Sequence, residues 1–555
     1  MPQCKNCQQQ FNVLSEDRAY YQKLGLPEPT HCPDCRCQRR MTTRNERNFY
    51  PRQCEMCGKN SLSIYAVGQP FPVYCRECWN SDQWGAEKYA QDFDWSRPFF
   101  DQFAELQAKV PRVAILTAGG NIVNSDFCNY LGDAKNCYLC FGSIFIENCL
   151  YGNPYYSKDC VDNFLIRDCE LCYQCITCEH LYSCLYCQDC FDSNNLFYCY
   201  DCKGCSECIG CAGLRNVNHY IFNKKVSDSE YQEYKAKMDL CDPTAVNEIK
   251  RQLAENKLAI PRRYYQGVKN LNVSGNYINE SKNSYHVFDV KRCEDSRYSA
   301  QVIDLKDCYD NNFTENNELC CDYISSWKNY KICYSSVCYQ CNDTYYSDVC
   351  DSSKNLFGCC TLRKKQFYIL NKPYTESEYN QTLPKIIEHM KKTGEWGEFF
   401  PIAKSIFCYN ETVANEYFPI TEQEAIQKGW RWKPKDNREY QKQTYQVPTN
   451  IKDVPESILK EILACSGCEK NFKIIKPELS FYQQFGLPIP DKCPFCRHLE
   501  RMAARNPRRL WSRQCQCDKS SHNHGAICSA SLETTYAPER PEKVYCQECY
   551  EKEMY

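Results

Sequence analysis

The sequence predicts a mainly β chain, with compact Cys-rich modules at both ends flanking two copies of a Cys/Tyr-rich β-solenoid joined by short helices. Three observations carry this. The 555 residues include 47 Cys and 43 Tyr with 21 Gly, a composition that argues against low-complexity disorder. Cys137, Cys149, Cys160, Cys169, Cys178, Cys190 and Cys202 recur at short, regular intervals, mostly after Asp or Asn. Such recurrence without helical periodicity marks stacked β structure, in which each turn of chain buries its face against its neighbours. Finally, the chain is self-similar: GCAGLRNVNHYIFNKKVSDSEY (Gly210 to Tyr231) matches GCCTLRKKQFYILNKPYTESEY (Gly358 to Tyr379), and KNCYLCF at Lys135 matches KNSYHVF at Lys282.

Length alone predicts three to five domains at about 100 to 200 residues each. In chain order we read a Cys-rich module over 1–84, a helical connector over 85–119, solenoid copy one over 120–225, a helical connector over 226–266, and solenoid copy two over 267–372. A helical or mixed segment follows over 373–433, then a linker over 434–460 and a second Cys-rich module over 461–555. FFDQFAELQAKV, SEYQEYKAKM, AVNEIKRQLAENKLAI and SEYNQTLPKIIEHMKKTG place apolar residues at helical spacing, some with Ser or Thr near the start. KPKDNREYQKQTYQVPT is polar and aperiodic and reads as linker. The isolated AGGN at Ala118 reads as a turn.

In the terminal modules, Cys4-x2-Cys7 is followed by Cys32-x2-Cys35, and Cys465-x2-Cys468 by Cys493-x2-Cys496 across the same gap. Two CxxC knuckles supply the four soft ligands of a tetrahedral zinc ion, and an intervening hairpin would bring them together. The stretches CKNCQQQFNVLSEDRAYYQKLGLPEPTHCPDCR and CSGCEKNFKIIKPELSFYQQFGLPIPDKCPFCR resemble the probable zinc-ribbon domain family of bacterial proteins, over about residues 1–40 and 462–500, through the CxxC, FY-x-x-x-G, Pro and CP-x-CR pattern. The resemblance implies zinc binding and supplies no reaction. The whole arrangement is also similar to large uncharacterised Cys-rich zinc-ribbon proteins of uncultivated bacteria. The fold class is therefore read as tandem zinc ribbons around the two solenoid copies.

Each ribbon is followed by a second cluster. The first is Cys54, Cys57, Cys75 and Cys78. Its C-terminal counterpart, RQCQCDKSSHNHGAIC, offers Cys515, Cys517, His522, His524 and Cys528 before Cys546 and Cys549, seven candidates for four places. Alignment with the N-terminal cluster favours Cys515, Cys517, Cys546 and Cys549, with His524 and Cys528 as substitutes or as part of a second metal. About four structural Zn²⁺ are expected, and closed Cys4 shells leave no position for water or substrate.

Between the paired clusters lie Arg-rich connectors. The first holds Arg36, Arg39, Arg40, Arg44, Arg47 and Arg52 beside Phe49 and Tyr50; the second holds Arg497, Arg501, Arg505, Arg508, Arg509 and Arg513 beside Trp511. Guanidiniums could hydrogen-bond the thiolates of a Cys4 site, whose net charge is about −2. With stackable rings nearby they also suit phosphate contact, which makes Arg36, Arg39, Arg40, Arg44, Arg501, Arg505, Arg508 and Arg509 candidate nucleic-acid or ribosome contacts. An acidic protein partner is the third option.

The run DCELCYQCITCEH sets Cys169, Cys172, Cys175 and Cys178 three residues apart. It lacks the wider last gap and the Pro of a ferredoxin string. In the second copy, Cys175, Cys178, Cys187, Cys205 and Cys208 align with Tyr323, Ser326, Ser335, Ser353 and Leu356, replacements no four-ligand cage would survive. Buried Cys behaves as a small hydrophobe, so a structural ladder is expected ahead of a soft-metal site in copy one or an iron–sulfur cluster. His180, His219 and His286 are expected to be structural.

With Lys+Arg 68 against Asp+Glu 70, no global field draws the chain to nucleic acid or to an anionic membrane. No basic leader precedes an apolar run and no apolar stretch approaches a membrane span of about 18 residues, so a cytoplasmic chain with reduced thiols and no membrane contact is expected. No P-loop or GxSxG signature is present, and the chain is not expected to be an enzyme. The function expected is a non-catalytic zinc-binding scaffold engaging a protein or nucleic acid through its solenoid and Arg-rich ribbon surfaces. The alternatives are a nucleic-acid- or ribosome-associated protein, and a soft-metal store or iron–sulfur redox protein. Oligomeric state is left open.

Overall fold

The computed structural model describes residues 1–117, 120–435, 439–522, 524–525 and 527–555. Ala118 and Gly119 of the AGGN stretch, and part of the 434–460 linker, lie outside them. The protein is mainly β, and no helix among the described residues is long and apolar enough to cross a membrane.

Two compact units form, and both are discontinuous in sequence. One comprises Met1–Ala118, Tyr265–Pro434 and Arg508–Leu510; the other comprises Gly119–Tyr264, Lys435–Pro507 and Trp511–Tyr555. The N-terminal Cys-rich segment thus shares a unit with the second Cys/Tyr-rich tract, and the C-terminal one with the first.

Each unit is built on a long parallel ladder. In the Gly119–Tyr264 tract the sheet runs from Ile122–Val123 to Lys224–Lys225, and in the Tyr265–Pro434 tract from Gly267–Val268 to Lys372–Pro373. Partners lie twelve residues apart: Arg167 with Glu179 and Glu179 with Phe191 in the first, Phe288 with Ala300 and Ala300 with Asn312 in the second.

A three-residue cycle underlies this register. Asp168, Leu171, Gln174, Thr177 and His180 all take left-handed backbone, with φ of 50°, 55°, 50°, 51° and 54°. Asp and Asn tolerate that region better than other side chains, which explains the recurring Asp or Asn before Cys. The residue after each turn points inward: Cys169, Cys172, Cys175 and Cys178 are all buried. Backbone groups are satisfied between rungs, Asp168 N–H donating to Tyr155 O at 3.0 Å and Glu170 N–H to Leu181 O at 2.9 Å.

Both ladders end in the same way. Antiparallel hairpins close them through Phe222–Asn223 and Leu370–Asn371, where both residues of each pair have positive φ, the geometry of a tight hairpin turn. Helices Asp228–Lys237 and Glu376–Thr393 follow, and Ser227 and Thr375 cap them in reciprocal exchange with Glu230 and Glu378.

The terminal segments differ from expectation in one respect. The knuckles Cys4-x2-Cys7 and Cys32-x2-Cys35 are separated by helix Ser15–Leu24, not by a hairpin alone, and the C-terminal counterpart is Lys476–Phe485. The FY-x-x-x-G pattern is its signature. Tyr20, Tyr21 and Tyr482 are buried, and Gly25 and Gly486 end the helices at φ of 68° and 64°, a left-handed cap that glycine adopts without strain.

Glu398 ties the N-terminal segment to the loop after Glu376–Thr393. Burial would raise its carboxyl, but His31 at 3.4 Å, Arg39 at 2.7 Å and the Thr30 hydroxyl hold it well below the usual range. A depressed carboxyl contributes stability that is present above its unfolded value of about 4.3 and lost as pH falls toward the folded one. Glu398→Gln should therefore lower the thermal midpoint at pH 7, by the equivalent of about 1.5–3 kcal/mol, and the gap to wild type should narrow at pH 3. A gap that stays constant with pH would refute this.

Candidate metal centres

Four cysteine quartets close in space. Cys4, Cys7, Cys32 and Cys35 form one; Cys54, Cys57, Cys75 and Cys78 a second; Cys465, Cys468, Cys493 and Cys496 a third; Cys515, Cys528, Cys546 and Cys549 a fourth. Within each, every sulfur lies within 4.8 Å of the others. Each set could hold a metal ion.

The local chain explains the convergence. The second CxxC of every set opens a helix: Cys32 precedes Pro33–Met41, Cys75 precedes Arg76–Trp79, Cys493 precedes Pro494–Ala503 and Cys546 precedes Gln547–Met554. Pro at the first helical position suits the CP of the ribbon pattern. Backbone donors face the sulfurs: Cys75 N–H meets Cys54 Sγ, Cys493 N–H meets Cys465 Sγ and Cys546 N–H meets Cys515 Sγ, each at 3.2 Å. At Cys465 burial pushes the thiol up, but the N–H groups of Cys493, Gly467 and Cys468 outweigh it and bring it down to about 6. A thiolate is the ligand form.

The fourth set revises the alignment-based reading. Cys528 joins Cys515, Cys546 and Cys549, whereas Cys517 groups with His522, His524 and Cys549. The missed signal was the strand after the loop. Cys54 N–H donates to Lys59 O at 2.9 Å and Cys515 N–H to Ala530 O at 2.8 Å, so Cys528, two residues before Ala530, holds the place of Cys57, two before Lys59.

The arginines take positions that neither leading expectation anticipated. Arg36, Arg39, Arg40, Arg44 and Arg501 are buried. Arg40, with 0% exposure, donates to Asp322 at 2.7 Å, Asp310 at 3.2 Å and Asn312 at 2.8 Å, while Arg36 donates to Asp310 at 2.9 Å. One helical turn separates the two arginines and one ladder register separates the two aspartates, so the rows match. In the other unit, Arg497 and Arg501 both reach the buried Asp162, Arg501 at 2.9 Å. Arg44 pairs with Glu46 and donates to Ser325 at 2.7 Å. A phosphate could meet these groups only if the pairs separated. Of the remaining candidates, Arg505 lies half-buried over Phe164, Arg508 donates to Asp289 at 3.0 Å and Gln301 at 2.6 Å, and Arg509 is exposed.

The ladder cysteines are arranged differently from the quartets. Cys169 Sγ donates to Arg167 O at 3.2 Å, Cys175 Sγ to Cys184 O at 3.3 Å and Cys178 Sγ to Ile176 O at 3.3 Å. Burial pushes the Cys169 and Cys178 thiols well up, which favours the neutral donor. In the second ladder Ser326, Ser335, Ser353 and Leu356 are likewise buried, and Tyr323 fits because its hydroxyl donates to Cys338 O at 2.7 Å. His180 is exposed, 2.8 Å from Asp192; His219 lies 2.6 Å from Glu207.

No family model matches the chain, and no curated protein does.

Proposed function

We propose that the chain is a zinc-stabilised, non-catalytic scaffold, cytoplasmic, that engages a macromolecular partner. In this reading the terminal segments are zinc ribbons and the two ladders are copies of a four-sided β-solenoid with three residues to a side. The twelve-residue register and the left-handed backbone at every third residue support the solenoid.

The observation that carries the zinc reading is the sulfur geometry. Cys7 and Cys32 are 3.7 Å apart, Cys57 and Cys75 3.9 Å, and Cys468 and Cys493 3.7 Å. A tetrahedron with Zn–S bonds of about 2.3 Å has edges of roughly 3.8 Å. Four thiolates would fill it, leaving no position for a substrate. Metal analysis of anaerobically purified protein tests this: at least four zinc per chain and no iron are expected. Iron with sulfide would move the reading to a redox protein, and zinc far beyond the quartets to a metal store.

Commitment of Arg36, Arg39, Arg40, Arg44 and Arg501 to carboxylates and backbone favours a protein partner over a nucleic acid. Retention on generic RNA or DNA is therefore expected to be weak, with a shallow dependence on salt between about 50 and 200 mM. A steep log–log salt slope, flattened by Arg505→Ala and Arg509→Ala, would put nucleic acid first.

A further inference from the structure

The C-terminal hairpin carries ligands that a single quartet does not need. Between strands Trp511–Gln514 and Ser531–Thr534 lie sixteen residues, where the N-terminal hairpin has six between Tyr50–Gln53 and Asn60–Ser63. Because Cys515 and Cys528 already hold the places of Cys54 and Cys57, the inserted loop is free to bring Cys517, His522 and His524 against Cys549. The ligand atoms of these four lie within 4.8 Å of one another.

Their environment is that of a built site. Cys517 and His522 are buried, and Cys517 Sγ is 3.1 Å from His522 Nδ1. The opposite nitrogen, His522 Nε2, faces Glu553 at 3.6 Å, the carboxylate partner that orients a metal-binding imidazole. His524 Nδ1 lies 2.9 Å from Gly525 O. Since that carbonyl can only accept, the proton sits on Nδ1 and the lone pair on Nε2. Nε2 is buried with no hydrogen-bond partner, an arrangement that is unfavourable unless something meets it.

We infer that this domain binds two divalent metal ions of the zinc class, bridged by the Cys549 thiolate. One ion takes Cys515, Cys528, Cys546 and Cys549; the other takes Cys517, His522 Nδ1, His524 Nε2 and Cys549. Seven side chains then fill eight coordination positions, with sulfur and imidazole donors that suit zinc. Two dications and five thiolates leave a net charge of about −1, less than two separate Cys4 sites would carry.

The inference rests on the zinc reading of the quartets, and the test separates the two. Full-length protein purified anaerobically is expected to hold five zinc per chain, and the His522→Ala/His524→Ala double variant four. Four in both would overturn the second ion; fewer than four in wild type would fail the quartet reading itself. Cobalt substitution tests the bridge. Two Co²⁺ ions sharing a thiolate couple antiferromagnetically, so the low-temperature spin count of wild type should correspond to three of five ions, rising to four of four in the double variant. Five uncoupled ions in wild type would overturn the shared Cys549.

Discussion

Arg40→Ala is expected to destabilise its unit by about 3–5 kcal/mol, the range for stranding buried charges by removing one partner. Arg40 is fully buried and serves Asp310, Asp322 and Asn312. Without it Asp322 keeps Arg39 at 3.5 Å and Asp310 keeps Arg36 at 2.9 Å, so two buried carboxylates share weaker compensation. Arg18→Ala is the control, since the Arg18–Glu28 pair spans 3.0 Å with both side chains about half exposed, and such pairs contribute about 0–1 kcal/mol. Urea denaturation should show the midpoint of Arg40→Ala falling at unchanged slope. Adding Asp322→Asn to Arg40→Ala should recover part of the loss, because one stranded charge disappears while Arg39 keeps Glu398 at 2.7 Å. A shift no larger than that of Arg18→Ala would mean the row of pairs does not hold the segment down.

These arginines also show where sequence reading stops. The spacing of CxxC is local information, and a quartet of thiols at two such spacings has few uses; twelve of the sixteen candidate cysteines converge in three quartets that could hold a metal ion. The inward cysteines were legible for a similar reason: Asp or Asn marks the left-handed turn, and the next residue must be compact. Which ladder each terminal segment covers was not legible. Arg36 and Arg40 recognise Asp310 and Asp322 across some 270 residues of chain, and nothing near either partner announces the pairing. The Arg clusters read as partners for the thiolates or for phosphate, when the anions that Arg36 and Arg40 meet are ladder carboxylates. Cys528 reads in the sequence only as a substitute ligand or part of a second metal because an insertion shifts it along the chain, while the strand register keeps it in the place of Cys57.

The sharpest contrast in the chain is between two cysteines of similar burial. Cys465→Ser is expected to remove one metal ion per chain and to cost roughly 5 kcal/mol or more, because structural zinc binding is worth about 10–16 kcal/mol in small domains and binding is folding there. The segment that would loosen includes Leu463–Ala464, Asn471–Phe472 and helix Lys476–Phe485, and limited proteolysis should cut it first. Cys175→Ser should leave the metal count unchanged. Its thiol donates to Tyr173 O at 3.6 Å and Cys184 O at 3.3 Å, and a hydroxyl can donate to the same carbonyls, as Ser335 does to Cys333 O at 2.9 Å in the second ladder. The expected cost is about 1–2 kcal/mol, the scale of one altered buried contact. If Cys175→Ser lost metal, the spacing of DCELCYQCITCEH would be a coordination pattern after all. If it does not, the spacing of three is set by the backbone, which turns left-handed at every third residue and leaves one inward position per turn for sulfur, hydroxyl or a small aliphatic side chain to fill.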